Sequence, residues 1–367
     1  MPGKSLLAAL LPVLLISCTF GGVPTAVPTF PPTRTPPPIP THANAAESEL
    51  TPTAFVPTVT QLTQPGCCVQ PFWSADGQMV LFINKPQPTS PNSIYGVPIT
   101  GGDPVLVSER LALPSPDGRY HTYLNDQGQT IVEPTESEVQ WTVPNGGQRV
   151  FFSPHSERLA WAKISKSEDS GEYAASIGLA DIDGSDVKGL LTLYGGGIGG
   201  WLDDNTLLLV GKDKTGSQDL TLFSLNVVDG TRRDLISNQP ILTTEISPTG
   251  AWIEYTIASD SADQGGLWVI KSDASQRYKL EVVGGAHWRD ASHLLIIPTE
   301  AEAASQRLWE FDAETGQAYP LTDPAVTPFK ALNGDWSVAP TGDHVAFYGD
   351  NEAIWMITLP PAGEEGE

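Results

Sequence analysis

Cysteine is nearly absent: three residues in 367, at positions 18, 67 and 68, none in the Cys-x-x-Cys spacing of a zinc or redox centre. His-Glu-x-x-His and Gly-x-Ser-x-Gly are missing too, which removes the zinc-peptidase helix and the nucleophile elbow. Basic residues are scarce, 20 Lys and Arg against 43 Asp and Glu, for a net charge of −23. Nucleic acid and anionic lipid surfaces both demand a basic face, so neither is a partner. One long apolar run exists, Leu6 to Ile16, and it is too short to cross a bilayer comfortably.

That run carries the first positive signal. Lys4 precedes it and Leu15-Ile16-Ser17-Cys18 follows, spelling a bacterial lipobox in which Cys18 becomes the lipidated first residue. Residues 1–18 are therefore expected to be a lipoprotein signal peptide. Residues 19–56 are rich in Pro and Thr, as in Pro31-Pro32-Thr33-Arg34-Thr35-Pro36, and are expected to be a disordered tether. In polyproline form such a tether reaches on the order of 100 Å at about 3.1 Å per residue. The expected location is extracytoplasmic, anchored to the bacterial cell membrane by lipid alone.

From residue 57 to 360 one phrase recurs. It begins Phe72-Trp73-Ser74-Ala75-Asp76-Gly77, with an apolar run ending Val80-Leu81-Phe82. It returns at Leu113-Pro114-Ser115-Pro116-Asp117-Gly118, Phe151-Phe152-Ser153-Pro154, Trp201-Leu202-Asp203-Asp204, Ile246-Ser247-Pro248-Thr249-Gly250, Trp288-Arg289-Asp290-Ala291 and Val338-Ala339-Pro340-Thr341-Gly342. The mean period is about 44 residues, in the range of propeller blades. Each copy is followed by a third apolar strand, such as Leu267-Trp268-Val269-Ile270, and by a Gly- or Asp-bearing turn, such as Asp229-Gly230-Thr231. Those turns suit tight hairpins, so each repeat reads as four antiparallel strands.

The phrase W-S-x-D-G, the following apolar run, the I-Y or L-W strand and the Gly-Gly turn resemble the TolB-type (WD40-like) propeller repeat. The resemblance covers roughly residues 57 to 360 and implies an all-β, seven-bladed propeller. TolB's separate α/β domain has no counterpart here, so its partner is not carried over. The last repeat lacks a fourth strand, and residues 58–63 lack a repeat of their own. That orphan strand is expected to complete the blade built from residues 335–358, closing the ring. Gln129 to Val132 and Val139 to Val143 are poor matches to the strands of the other repeats. Trp73, Trp201 and Trp288 recur at one position and are expected to pack between blades. Residues 361–367 form an acidic tail.

Two motifs are read as structure. Gly195 to Gly200 fits G-x-G-x-x-G by letters but runs into a strand and not a helix, so it is expected to be a loop opening a blade. Asp181-Ile182-Asp183-Gly184-Ser185-Asp186 lacks the spacing of a calcium loop and falls at a hairpin.

The function expected from sequence is a binding or scaffolding module, non-enzymatic and monomeric. Its partner would be an unidentified protein or small ligand at the channel mouth. No cofactor or metal motif is found. The residues at or just before innermost strands are Cys67, Cys68, Gln70, Arg149, Glu245, His287 and Asp335, and these form the expected binding surface. The adjacent Cys67 and Cys68 can close a strained disulfide ring. The alternative is a cell-surface glycosidase-like hydrolase using Glu245 and Asp335, since glycosidases need paired carboxylates across a pocket.

Overall fold

The computed structural model describes residues 56–360, apart from positions 67, 68, 88, 138, 167–170, 217, 218 and 300–302. Cys18, the tether up to residue 55, Cys67, Cys68 and the acidic tail lie outside the described residues.

The molecule is built from antiparallel sheets, and the repeat phrase explains their inner hairpins. In the first, Ser74 Oγ donates to Asp76 Oδ1 at 2.6 Å and accepts from Met79 N at 3.0 Å. Gly77 closes the turn onto Ser74 O at φ +67°, a conformation that favours glycine. Ser115, Asp117 and Gly118 repeat the device.

Strand β1 (Thr58–Gln61) opens the described chain. The sheet that follows is β2 (Val69–Trp73), β3 (Met79–Asn84), β4 (Ser93–Pro98) and β5 (Val105–Ser108). The next is β6 (Leu113–Pro114), β7 (Tyr120–Leu124), β8 (Thr130–Pro134) and β9 (Trp141–Thr142). Its first and last strands are only two residues long, in keeping with the poor sequence match of this repeat.

Then come β10 (Val150–Phe152), β11 (Arg158–Lys166), β12 (Tyr173–Asp181), β13 (Lys188–Asp203), β14 (Thr206–Lys212), β15 (Leu220–Asn226) and β16 (Arg232–Gln239), joined in one seven-stranded sheet. Two four-stranded sheets follow: β17 (Ile241–Ile246) to β20 (Arg277–Lys279), through β18 (Trp252–Ile257) and β19 (Gly266–Lys271); and β21 (Gly284–Trp288) to β24 (Gln317–Pro320), through β22 (His293–Pro298) and β23 (Trp309–Asp312). The last sheet orders as β1-β27-β26-β25, with β25 (Ala331–Val338), β26 (His344–Gly349) and β27 (Ile354–Thr358). Thr58 pairs with Thr358 and Gln61 with Trp355, and Leu62 N donates onward to Ile354 O at 2.9 Å.

The expectation of seven separate blades is therefore corrected. Five four-stranded blades stand as separate sheets, and the stretch from Val150 to Gln239 is a single sheet. The cause is β13, sixteen residues long. Gly195 to Gly200, expected as a loop, stays extended with register shifts. The outer strand of one unit thereby becomes the inner strand of the next without a turn.

One core cluster lies within the seven-stranded sheet, between its two halves, and the others straddle neighbouring sheets. Ile253 and Tyr255 pack toward Leu208 and Leu222; Trp252 and Val269 pack toward Trp288, Leu294 and Ile296. Trp73, Val80 and Phe82 share a core with Ala346, Ile354 and Met356, so the first sheet lies against the last. Trp73, Trp201 and Trp288 act as expected. Their indole N–H groups donate to Ser337 O at 3.3 Å, Phe151 O at 2.9 Å and Glu245 O at 3.2 Å, each in the preceding unit.

Candidate active site

Four inner strands carry register shifts toward their starts, β13 carries a further one between Trp201 and Asp203, and β21 is regular throughout. Register shifts fall between Val69 and Phe72 in β2, between Tyr194 and Gly197 and between Ile198 and Gly200 in β13, between Ile241 and Thr243 in β17, and between Ala331 and Trp336 in β25. Bulges re-aim side chains and concentrate beside active sites. One carries backbone strain at a non-glycine residue: Gln70 has φ +55°.

The tryptophan bonds identify equivalent positions. Phe151, Glu245 and Ser337 each offer the carbonyl that an indole of the next unit uses, and Phe72, Gly200 and His287 each precede such a tryptophan. Glu245 and His287 thus stand at one level of neighbouring sheets. They meet there. His287 Nδ1 lies 2.8 Å from Glu245 Oε2, and Trp288 N donates to Glu245 Oε1 at 3.1 Å. Both carboxylate oxygens are occupied and the ring is held through Nδ1. Its other face meets Trp336 edge-on, with ring centroids 4.4 Å apart. Each side chain of the pair is 35% exposed, so a solute can reach it. Nε2 has no protein partner among the described residues. A carboxylate on Nδ1 and a free Nε2 is the arrangement of a histidine poised to take a proton.

Asp335 and Gln70 form a second pair two positions nearer the strand starts. Gln70 N, turned by its left-handed backbone, donates to Asp335 Oδ2 at 2.8 Å. Burial pushes the Asp335 carboxyl above its ordinary range, and the Gln70 hydrogen bond only partly offsets this. Asp335 adjoins Trp336, whose indole leans on His287, so the two pairs are linked through one residue. Arg149 is not drawn in. Its guanidinium stacks over Phe151 at 4.9 Å. Cys67 and Cys68 lie outside the described residues.

Three residues belong to this region that sequence reading passed over. Trp336 forms the wall behind His287. Ser337 Oγ is buried with no hydrogen-bond partner among the described residues. Glu254, 4% exposed, stands directly across from Glu245 in the β17–β18 ladder. Its signal was a single acid inside the apolar strand Trp252-Ile253-Glu254-Tyr255. Among the described residues no group of three His, Cys, Asp or Glu side chains is arranged to hold a metal ion.

No family model matches the chain, and no curated protein does. Solved structures do. An oligogalacturonate lyase in complex with manganese aligns at TM-score 0.60 and 16% identity, over 82% of this chain and 93% of that one. The oligogalacturonate lyase of Vibrio parahaemolyticus aligns at 0.60 and 16%, over 83% and 96%. The structure of U3-55K aligns at 0.51 and 12%, over 82% and 98%. At these identities the likeness is one of fold: an all-β propeller of four-stranded antiparallel blades. The expectation of a non-enzymatic chain is corrected by this comparison, because the two lyases are enzymes on the same architecture along nearly their whole length.

Proposed function

We propose that this chain is a glycan-cleaving propeller enzyme, a hydrolase in which Glu245 and His287 are the proton-moving pair. The observation that carries the reading is the hydrogen bond between Glu245 Oε2 and His287 Nδ1, which leaves Nε2 free at an accessible position. His287 Nε2 takes a proton from water as the water oxygen bonds to the anomeric carbon. The glycosidic C–O bond breaks, and Asp335, whose carboxyl burial raises above its ordinary range, is assigned as the acid that protonates the departing oxygen. Glu245 holds the ring and balances the imidazolium. The lyase likeness supports a carbohydrate ligand, while the Glu245 carboxylate and a net charge of −23 disfavour a polyanionic one. Neutral or amino-bearing oligosaccharides fit better.

A panel of neutral, amino and uronic oligosaccharides tests this. The chain is expected to release reducing ends from the first two classes, and Asp335→Asn to lose the reaction most for poor leaving groups. Cleavage of uronic oligosaccharides alone, or of none, contradicts the reading.

We also infer the finer architecture. The seven-stranded sheet is two blades sharing β13, giving seven blades in a TolB-like ring, and β1 closes it by completing the blade of β25 to β27. The pairing of Thr58 with Thr358 supports closure, as does the shared core of the first and last sheets. Lipidation at Cys18 would hold the ring outside a bacterial membrane, and the lipobox spelling supports it. Cys18→Ala is expected to move the protein from the membrane fraction to the soluble one. Unchanged membrane association refutes the anchor.

A further inference from the structure

Two sheets of this molecule carry the same aromatic platform, and they cover it differently. The phrases Ile246-Ser247-Pro248-Thr249-Gly250 and Val338-Ala339-Pro340-Thr341-Gly342 correspond, so Tyr255, five residues past Gly250, corresponds to Phe347, five past Gly342. Tyr255 pairs with Trp268 in β19, and Phe347 with Trp355 in β27. The rings stack alike, with centroids 6.4 Å apart at 17° in the first pair and 6.5 Å apart at 18° in the second. Each indole N–H donates to an oxygen four residues back, Gln264 O at 2.9 Å and Asn351 Oδ1 at 2.8 Å.

In the first sheet an arginine lies on the platform. Arg277 of β20 holds its guanidinium carbon 4.0 Å from the Trp268 ring centroid and 5.6 Å from that of Tyr255, and its Nε donates to Tyr255 Oη. Arg277 is opposite Ile270, two residues past Trp268. In the last sheet the residue opposite Ile357, two past Trp355, is Val59 of β1. Valine is short and uncharged. There Val59, Phe347 and Trp355 line a cavity of about 170 Å³ together with Phe329, Lys330 and Asp350. One water needs only about 10–15 Å³, so the space suits a larger group.

The walls of this cavity are fixed. Ser305 Oγ donates to Phe329 O at 3.2 Å and accepts from Phe329 N at 3.1 Å. Gln306 N donates to the same carbonyl at 2.8 Å, and Gln306 Oε1 accepts from Ala331 N at 2.7 Å. Gly349 lets the Trp355 indole lie against β26, because a Cβ there would come within 2.6 Å of Trp355 Cδ1. Phe329 and Phe347 are buried, Trp355 is half-buried and Asp350 is exposed. An indole face beside a carboxylate, in a chain of net charge −23, favours a cation. Lys330 is the one opposing charge among the lining residues.

We propose that this cavity binds a guanidinium-bearing ligand, which takes on Trp355 the place that Arg277 takes on Trp268, with Asp350 as its counter-charge. The site is separate from the Glu245–His287 pair and does not depend on the glycan reading.

Calorimetric titration of the full chain with butylguanidinium tests this, with butylurea as the uncharged control of similar shape. Butylguanidinium is expected to bind saturably at one site and butylurea at least about tenfold more weakly. Asp350→Asn should weaken the binding about threefold or more. Val59→Arg gives the last sheet an arginine of its own, so it should abolish binding while the melting temperature holds or rises. Should that variant fail to fold, Trp355→Leu must weaken binding about tenfold or more. Free arginine and an arginine within a blocked peptide then distinguish a small molecule from a partner chain as the source of the guanidinium, and binding of either agrees with the site. No saturable binding of butylguanidinium, equal binding of butylurea, or binding that survives in folded Val59→Arg overturns the proposal.

Discussion

Replacing His287 with glutamine is expected to lower kcat on the cleaved glycan by about 10²–10⁴-fold, the usual range for loss of a general base. KM should change little, because the ring is placed to take a proton and not to hold the sugar. Glutamine still fills the space against Trp336, so the fold should persist. Glu245→Gln should cost a comparable factor by a different route. The amide oxygen can still accept from Trp288 N, but the NH₂ then faces Nδ1 and forces the opposite tautomer, with Nε2 protonated and unable to act as base. Stopped assays of reducing-end release, with melting curves as a control, check both. A kcat within threefold of wild type in either variant removes the pair from the chemistry.

The second large effect concerns stability, at the opposite ends of the same strands. Arg289, in the repeat phrase that follows Trp288, is 4% exposed, and its ion-pair partner Glu310 is 3% exposed. The guanidinium also donates to Gly342 O at 2.8 Å and to Pro360 O, both in the last sheet and its trailing segment, while Tyr319 Oη donates to Glu310. This network fastens two neighbouring sheets. A guanidinium keeps its charge at any ordinary pH, so Glu310→Ala strands it in the interior. The expected loss is about 3–5 kcal/mol. Arg289→Met combined with Glu310→Leu should recover much of it, because the penalty lies in the unpaired charge more than in the absent bridge. Urea unfolding of the single and double variants measures the difference. A loss under about 1 kcal/mol for Glu310→Ala would show the pair to be reached by water.

The repeat phrase made much of this legible. Ser, Asp and Gly at fixed offsets specify the inner hairpin chemically, and the tryptophans before them mark contacts between sheets. For the same reason Glu245, His287 and Asp335 could be picked out as polar residues just ahead of the phrase, although the structure sets them inside β17, β21 and β25 and not at the strand starts that the sequence suggested. What sequence could not supply was which of them meet. That Glu245 reaches His287 while Arg149 turns onto Phe151 depends on side-chain direction across a gap between sheets. The Gln70 contact depends on a bulge that spacing does not reveal. Glu254 was hidden inside the apolar strand Trp252–Ile257, and Trp336 because a lone strand tryptophan reads as core. The glycines of β13 misled because glycine marks turns most often, yet it also tolerates a strand that must press close to its neighbours. Gly199 illustrates this, since a Cβ there would lie 2.8 Å from Thr244 Oγ1.

The central claim is that the Glu245–His287 pair activates water for glycan cleavage. Cleavage in heavy-oxygen water, followed by mass analysis of the products, tests it most directly. The account predicts one heavy oxygen on each newly formed reducing end, and a rate that falls with His287→Gln. An unsaturated product carrying no solvent oxygen, or labelled cleavage at an unchanged rate in His287→Gln, would contradict it.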